Sequence, residues 1–394
     1  MRVLQVNTTY NIGSTGRIVA GLERVITSSG HEAFAAFGYG NIEDEYHYKI
    51  INQFDSYCHN ISSRLTDSQG MHSVRKTEAF VRYIENISPD IIHLHNLHGN
   101  YLDYRTLFNY LRNSDCRIVW TFHDCWPFTG HCAYFDMANC RKWMDGCNEC
   151  PQRGAYPPSL IDRSERNYSL KLSHFKGFGK RMMLVGVSEW LSALLHKSFL
   201  KEYSIHTIHN GISLDNFRRK SIGFNPKPYV LGVAFPWNVR KGLKDFIRLR
   251  ELLDKNIDII LVGLTPGQIK ALPAGIIGLT KTESVEELAE LYSGASVLVN
   301  TTYEDNYPTV NLESIACGTP VITYNTGGSP ESVRDGAGLV VEKGDVKAVA
   351  EEVAAILSGR HNYPSENLMY YASENFDEDR CFKKYLALYN SLML

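Results

Sequence analysis

Short runs rich in β-branched residues alternate with longer amphipathic stretches along the whole chain. This rhythm points to parallel sheets covered by helices on both faces. In the first half Arg2 to Val6, Ile91 to Leu94, Ile118 to Thr121 and Met183 to Val187 read as strands, with a helix over Gly16 to Ser28. The second half restarts the pattern with strands at Tyr229 to Val233, Ile257 to Val262, Ile276 to Leu279, Val297 to Asn300, Pro320 to Tyr324 and Gly338 to Val341. Helical stretches there cover Lys244 to Asp254, Val285 to Ser293 and Val346 to Ser358.

A chain of 394 residues exceeds the size at which one hydrophobic core usually stops growing, so two domains are expected. Between the halves, NGISLDNFRRKSIGFNPKPY breaks all periodicity with Gly, Asn and two prolines. The predicted organisation is a Rossmann-like domain over 1–210, a linker over 211–228, a second Rossmann-like domain over 229–369 and a helical, aromatic tail over 370–394. Ligands of open parallel sheets bind outside the carboxyl ends of the strands, so the expected site is a cleft between two facing domains. A net charge of −2, with 44% hydrophobic and 21% charged residues, fits a globular protein and implies no nucleic-acid partner. MRVLQVNTTYNIGSTG reads as a strand running into a glycine turn rather than a signal peptide, and apolar runs elsewhere fall short of the ~20 residues needed to span a bilayer. A cytoplasmic protein is expected, with its nine cysteines as thiols or metal ligands rather than disulfides.

The most informative string is VLVNTTYEDNYPTVNLESIACGTPVI from Val297, which reads strand, acidic loop, helix, strand. Asn306 suits the helix cap, Pro308 its first turn and Gly318 its end, which places Asp305 just before the helix and Glu313 about one and a half turns inside it. The helix start, with Thr309 and Val310, offers backbone N–H groups and a positive dipole end to a diphosphate. The acids belong on hydroxyl groups. A second string, FPWNVRKGL from Phe235, brings Arg240 and Lys241 to a turn after a strand.

Asp305, seven residues, then Glu313 followed by SIACGTPVI resembles the acid-seven-acid motif of the family 4 retaining glycosyltransferases of the GT-B fold. The resemblance implies that Glu313 binds the donor ribose and Asp305 a hydroxyl of the transferred sugar. The family usually has Glu at the first acid, so Asp305 is a departure, and Glu304 in a shifted register is the alternative. FPWNVRKGL resembles the family's basic loop, with Lys241 matching its lysine; Pro236 stands where an arginine is usual, and Arg240 either replaces it or is an exposed charge beside a turn. TGGSPE from Thr326 resembles the glycine loop and acid that close the domain, with Glu331 as that acid. The resemblance also implies that the first domain binds the acceptor, that the second binds the nucleotide sugar, and that the 370–394 tail crosses back to the first domain.

In the first half, NIGSTGR follows the first strand, and Gly13 and Gly16 either let backbone approach an oxyanion or serve a plain turn. The spacing is not that of a dinucleotide fingerprint, which weighs against a dehydrogenase. HLHNLH from His93 and TFHD from Thr121 lie at strand ends. His93 reads as a buried core histidine, His95 and His98 as acceptor-side candidates. His123 resembles the family histidine that stabilises charge near the anomeric carbon. Cys132, Cys140, Cys147 and Cys150 have one C-x2-C pair and read as a structural zinc site or as buried thiols. TFHDCWPFTGHC…CNECP resembles a bacterial subgroup that builds surface polysaccharides.

Taken together, the chain is expected to transfer a sugar with retention from a UDP- or GDP-sugar to a saccharide or lipid-linked saccharide, without a catalytic metal. A sugar-nucleotide epimerase on the same fold and a non-catalytic sugar-nucleotide-binding subunit are the rivals. Basic Arg163, Arg166, Lys171, Lys176, Lys180 and Arg181, with Trp190, Leu191, Leu194, Leu195 and Phe199 at helical spacing, read either as peripheral contact with the inner membrane leaflet or as a core-facing helix.

Overall fold

The computed structural model describes residues 1–220, 227–334 and 336–393, so part of the expected 211–228 linker lies outside the described residues. The chain divides into two compact units, Met1–His209 with Phe382–Leu394, and Asn210–Cys381.

The first unit holds a seven-stranded parallel sheet of β1 (Arg2–Thr9), β2 (Glu32–Tyr39), β3 (His47–Lys49), β4 (Ile91–Leu94), β5 (Arg117–Phe122), β6 (Met182–Gly186) and β7 (Ser204–Thr207), in the order β3-β2-β1-β4-β5-β6-β7. β4 is buried along its length, as a central strand covered on both faces must be. The order reverses between β1 and β4, and the register sets Val6 beside Leu94 and Leu94 beside Trp120. The loops leaving β1, β4 and β5 therefore emerge side by side at the carboxyl edge, where ligands of such sheets bind.

The second unit repeats the plan in six parallel strands, β8 (Tyr229–Val233), β9 (Asp258–Val262), β10 (Ile276–Leu279), β11 (Val297–Asn300), β12 (Val321–Tyr324) and β13 (Gly338–Val341), ordered β10-β9-β8-β11-β12-β13. Its core packs Val230, Leu261, Val299 and Ile322 of the strands against Phe246, Leu249, Val349 and Val353 of the helices Leu243–Leu252 and Val346–Leu357. Here the order reverses between β8 and β11. That reversal puts the loop carrying Lys241 next to the loop carrying Asp305.

Two boundaries differ from the expected ones. Residues from Asn210 onward belong to the second unit: Ile212 exchanges backbone hydrogen bonds with Phe376 and Glu378 at 2.8 and 3.1 Å, and the Lys220 N–H donates to Ser293 at 3.0 Å. The helix Ser365–Asn375 also stays with that unit, and the chain rejoins the first unit only from Phe382, partway along the helix Glu378–Met393. Buried Tyr385 and Tyr389 hold the returning segment to the first unit.

Candidate functional site

In the second unit, the turn Val239–Lys241 is capped by the Asn238 side chain, which accepts the Lys241 N–H at 3.2 Å. Gly242 follows at φ +72°, and a Cβ there would stand 2.3 Å from the Thr301 carbonyl oxygen. Only glycine lets the two loops meet this closely. Tyr303 N–H donates to the Arg240 carbonyl at 2.8 Å, and the Arg240 guanidinium donates to the Glu304 carbonyl at 2.5 Å. Lys241 Nζ then reaches Asp305 Oδ2 at 2.6 Å, both side chains being about one-sixth exposed. Burial pushes the Asp305 carboxyl up, but Lys241 and Arg240 outweigh it, and the group titrates below the usual carboxylate range. Lys241 is lowered by burial and by Arg240, against the opposing pull of Asp305. From the other side Gly327 packs so tightly that a Cβ would overlap the Asp305 carbonyl oxygen at 1.7 Å.

The helix Thr309–Ala316 carries the second acid. Glu313 is buried and accepts a hydrogen bond from the Tyr292 hydroxyl at 2.9 Å. Behind it Asn300, Asn311 and Ser332 form a buried ladder, with Asn300 donating to Asn311 and Asn311 to Ser332, each at 2.9 Å. The ladder ties the helix to β11 and to the turn that contains Glu331. Tyr292, Asn300 and Asn311 escaped the sequence reading, because nothing local marks a tyrosine or asparagine as the partner of a residue far along the chain. Asn306 does not cap this helix: Pro308 holds the cap position, and the Asn306 N–H donates to Asp305 Oδ1 at 3.0 Å. Thr309 and Val310 form the first turn, both partly exposed.

In the first unit β4 and the loops after β4 and β5 bring four histidines together. His95 Nδ1 lies 3.0 Å from His123 Nε2, and their rings stack. His98 Nε2 meets Asp124 Oδ2 at 2.6 Å, and its Nδ1 meets the Tyr156 hydroxyl at 2.9 Å. His93 is fully buried, with Nδ1 on the Tyr389 hydroxyl and Nε2 on Thr121, both at 2.7 Å. Burial pushes His123 down to about 4, with the charge of His98 in the same direction and Asp124 opposing. His93 and His95 are held well below the usual imidazole range by burial and by neighbouring rings. His123 is only partly buried, whereas His95 and His98 are 1% and 5% exposed and spent on interior contacts. Neither therefore presents an open face to a ligand within this unit.

The two glycines of the first loop differ. Gly13 opens the helix Gly13–Ser28 at φ +67° with open space where a Cβ would lie. Gly16 is a packing residue, since a Cβ there would lie 2.9 Å from Thr9 Oγ1 and 3.1 Å from the Asn11 nitrogen.

Part of the basic, apolar stretch is spent on the fold, whereas Arg163, Arg166 and Lys180 are exposed and Trp190 and Leu194 half-buried. Lys171 is buried, Lys176 pairs with Glu202 at 3.1 Å, and Arg181 donates to carbonyls of Leu111 and Ser114. Leu191, Leu195 and Phe199 point into the core, because the helix Glu189–Leu195 packs on β6 and β7. Among the described residues no helix is long and apolar enough to cross a membrane.

Two family descriptions match this architecture. Residues 16–216 match the model described as glycosyltransferase family 4, and residues 227–359 that described as glycosyl transferases group 1. The colanic acid biosynthesis glycosyl transferase WcaC of Escherichia coli (strain K12) is 24% identical over 381 residues, covering 89% of this chain and 88% of that protein. Among solved structures, sucrose-phosphate synthase from Thermosynechococcus elongatus superposes with a TM-score of 0.74 at 16% identity, covering 100% of this chain and 99% of that one. Anabaena HepE in complex with UDP-glucose gives 0.66 at 13% identity, over 99% of this chain and all of the other. The structural likenesses carry the fold, GT-B, and the family match carries the chemistry. With more than half its length inside the family 4 model and both sheets arranged as in GT-B proteins, the chain belongs to glycosyltransferase family 4 and is a glycosyltransferase.

Proposed function

We propose that this enzyme transfers a sugar, with retention, from a nucleotide-diphosphate sugar to a saccharide or lipid-linked saccharide in bacterial polysaccharide synthesis. The observation that carries the reading is the pairing of Lys241 with Asp305 at the start of the helix that bears Glu313. Fixed cations beside a helix N-terminus favour a diphosphate, and acids flanking them favour hydroxyl groups. A UDP- or GDP-sugar fits this arrangement. WcaC, named for colanic acid biosynthesis, and HepE, solved with UDP-glucose, support the polysaccharide setting and the donor class.

The reaction needs no enzymic nucleophile. The bond from the anomeric carbon to the diphosphate oxygen breaks, its electron pair leaves with the diphosphate, and the acceptor hydroxyl bonds to the same face. The hydroxyl proton passes to the departing phosphate oxygen. Lys241, Arg240 and the first turn at Thr309 and Val310 stabilise the charge on that oxygen. Glu313, oriented by Tyr292, binds the ribose, and Asp305 a hydroxyl of the sugar. The family resemblance gives His123 the charge near the anomeric carbon. His95 and His98, being buried, position His123 and Asp124 rather than touch the acceptor. Most of the acceleration then comes from holding both substrates in place and offsetting developing charge.

Thermal stabilisation across nucleotide diphosphates and their sugars tests the donor pocket, comparing wild type with Glu313→Ala and Lys241→Ala. One nucleotide class should raise the melting temperature of wild type and of neither variant. No shift with any nucleotide would overturn the reading. Turnover of the donor that depends on added acceptor separates transfer from epimerisation.

A further inference from the structure

Between β5 and the helix Ser164–Phe175 runs a long segment whose helical content among the described residues is two short turns, Trp126–Phe128 and Lys142–Met144. Such a stretch inside a compact unit needs some other means of holding its shape. Cys132, Cys140, Cys147 and Cys150 all line one small pocket within it, together with His131, and its volume of about 10 Å³ is close to that of a single small ion or water. None of the four is in a disulfide.

The walls of this space carry three further marks. The Gly130 N–H donates to Cys147 Sγ at 3.1 Å, and Gly130 has no room for a side chain, since a Cβ would lie 2.1 Å from the Ser164 carbonyl oxygen. His131, 3% exposed, is held through Nδ1 by Asp67 at 2.5 Å, while its buried Nε2 has no hydrogen-bond partner. An imidazole fixed by a carboxylate on one nitrogen and bare on the other is common beside metals. Lys171 is buried, and its ammonium rests on the Trp126 and Thr129 carbonyls at 2.6 and 2.9 Å and over the Trp126 ring at 3.5 Å. These hydrogen-bond partners are neutral, and the groups close enough to favour the buried charge are the Cys147 and Cys132 thiols and the Asp67 and Asp124 carboxylates.

We propose that Cys132, Cys140, Cys147 and Cys150 hold a structural zinc ion beside the bare Nε2 of His131, with Lys171 offsetting the charge of the tetrathiolate. Four thiolates around Zn²⁺ leave a net charge of about −2 and no open coordination position, so the ion shapes the segment and takes no part in transfer. As the side chains stand, no three of the described His, Cys, Asp and Glu groups share a ligation point. Ligation therefore requires the thiols to release their protons to solvent and turn about their Cα–Cβ bonds toward the shared space. The bound ion would brace the loop that delivers the Tyr156 hydroxyl to His98.

The test is the zinc content of the full-length protein, purified without chelator and measured by elemental mass spectrometry. Wild type, Cys58→Ser and Cys116→Ser should carry close to one equivalent, and Cys147→Ser and Cys150→Ser little or none. Cobalt substitution of wild type answers the same question without relying on any variant, because tetrahedral cobalt thiolate has intense ligand-to-metal and d–d bands. Metal-free wild type whose cobalt form lacks those bands would overturn the proposal, as would zinc loss in Cys58→Ser equal to that in Cys150→Ser. The proposal does not depend on the donor or acceptor, since neither enters the measurement.

Discussion

At the scale of single residues, Lys241 and His123 make separable demands. In the proposed mechanism Lys241→Ala removes a charge aimed at the leaving diphosphate, and loss of one such stabilising group typically costs about 10²- to 10³-fold in turnover. We expect a fall of that order by steady-state transfer, together with a lower melting temperature by calorimetry, because Asp305 is left mostly buried without its 2.6 Å counter-ion. The His123 case is a matter of pH. Its pKa is pushed down to about 4 in the native state, mainly by burial, from an ordinary value near 6.5. Between these values the unfolded chain binds a proton that the native chain lacks, so stability rises with pH across the window and is lost as pH falls through it. His123→Gln should flatten part of that slope in denaturant titrations between pH 4 and 6.5, and His93 and His95, shifted in the same direction, should keep the remainder. An unchanged slope would mean that the partly buried ring titrates like an exposed one.

At the scale of elements, tight loop contacts and buried hydroxyls set the geometry. Gly242 joins the turn Val239–Lys241 to the helix Leu243–Leu252 at φ +72° against the Thr301 carbonyl. Gly242→Ala combines a left-handed backbone with a direct clash, and should cost about 1–3 kcal/mol in urea unfolding while weakening nucleotide binding. The helix Glu378–Met393 shows the second kind of control. Tyr389→Phe leaves His93 Nδ1 buried without its 2.7 Å partner, a loss of about 1–3 kcal/mol that equilibrium unfolding should resolve. Three strands went unread in the sequence for related reasons. β2 is EAFAAFGY, apolar along its length and poor in β-branched residues, so neither alternation nor composition marks it as a strand. β3 and β7 are three and four residues long. Short edge strands draw their definition from a neighbour already in place.

At the scale of the whole molecule, the chain leaves its first unit at His209 and returns at Phe382. Tyr385 and Tyr389 then complete a core begun some 300 residues earlier, with Tyr389 bonded to His93 and the Thr121 hydroxyl donating to Tyr385 at 3.2 Å. Ending the chain at Cys381 should therefore lower the melting temperature of the first unit and open it to limited proteolysis. A truncated protein as resistant as the full chain would show the returning helix to be dispensable. The sequence by itself determined what local chemistry encodes. Alternating period and glycine turns gave the parallel α/β plan, and the spacing from Asp305 to Glu313 with Lys241 gave the donor-side candidates. Tertiary structure alone decided which residues meet. It paired Lys241 with Asp305 and Glu313 with Tyr292, moved the cap from Asn306 to Pro308, made Gly16 a packing residue, and spent Lys171, Leu191 and Leu195 on the interior. The physical reason is that propensity and periodicity act over a few residues, whereas burial and partner choice are fixed by strand order, which brings together loops that the sequence keeps far apart.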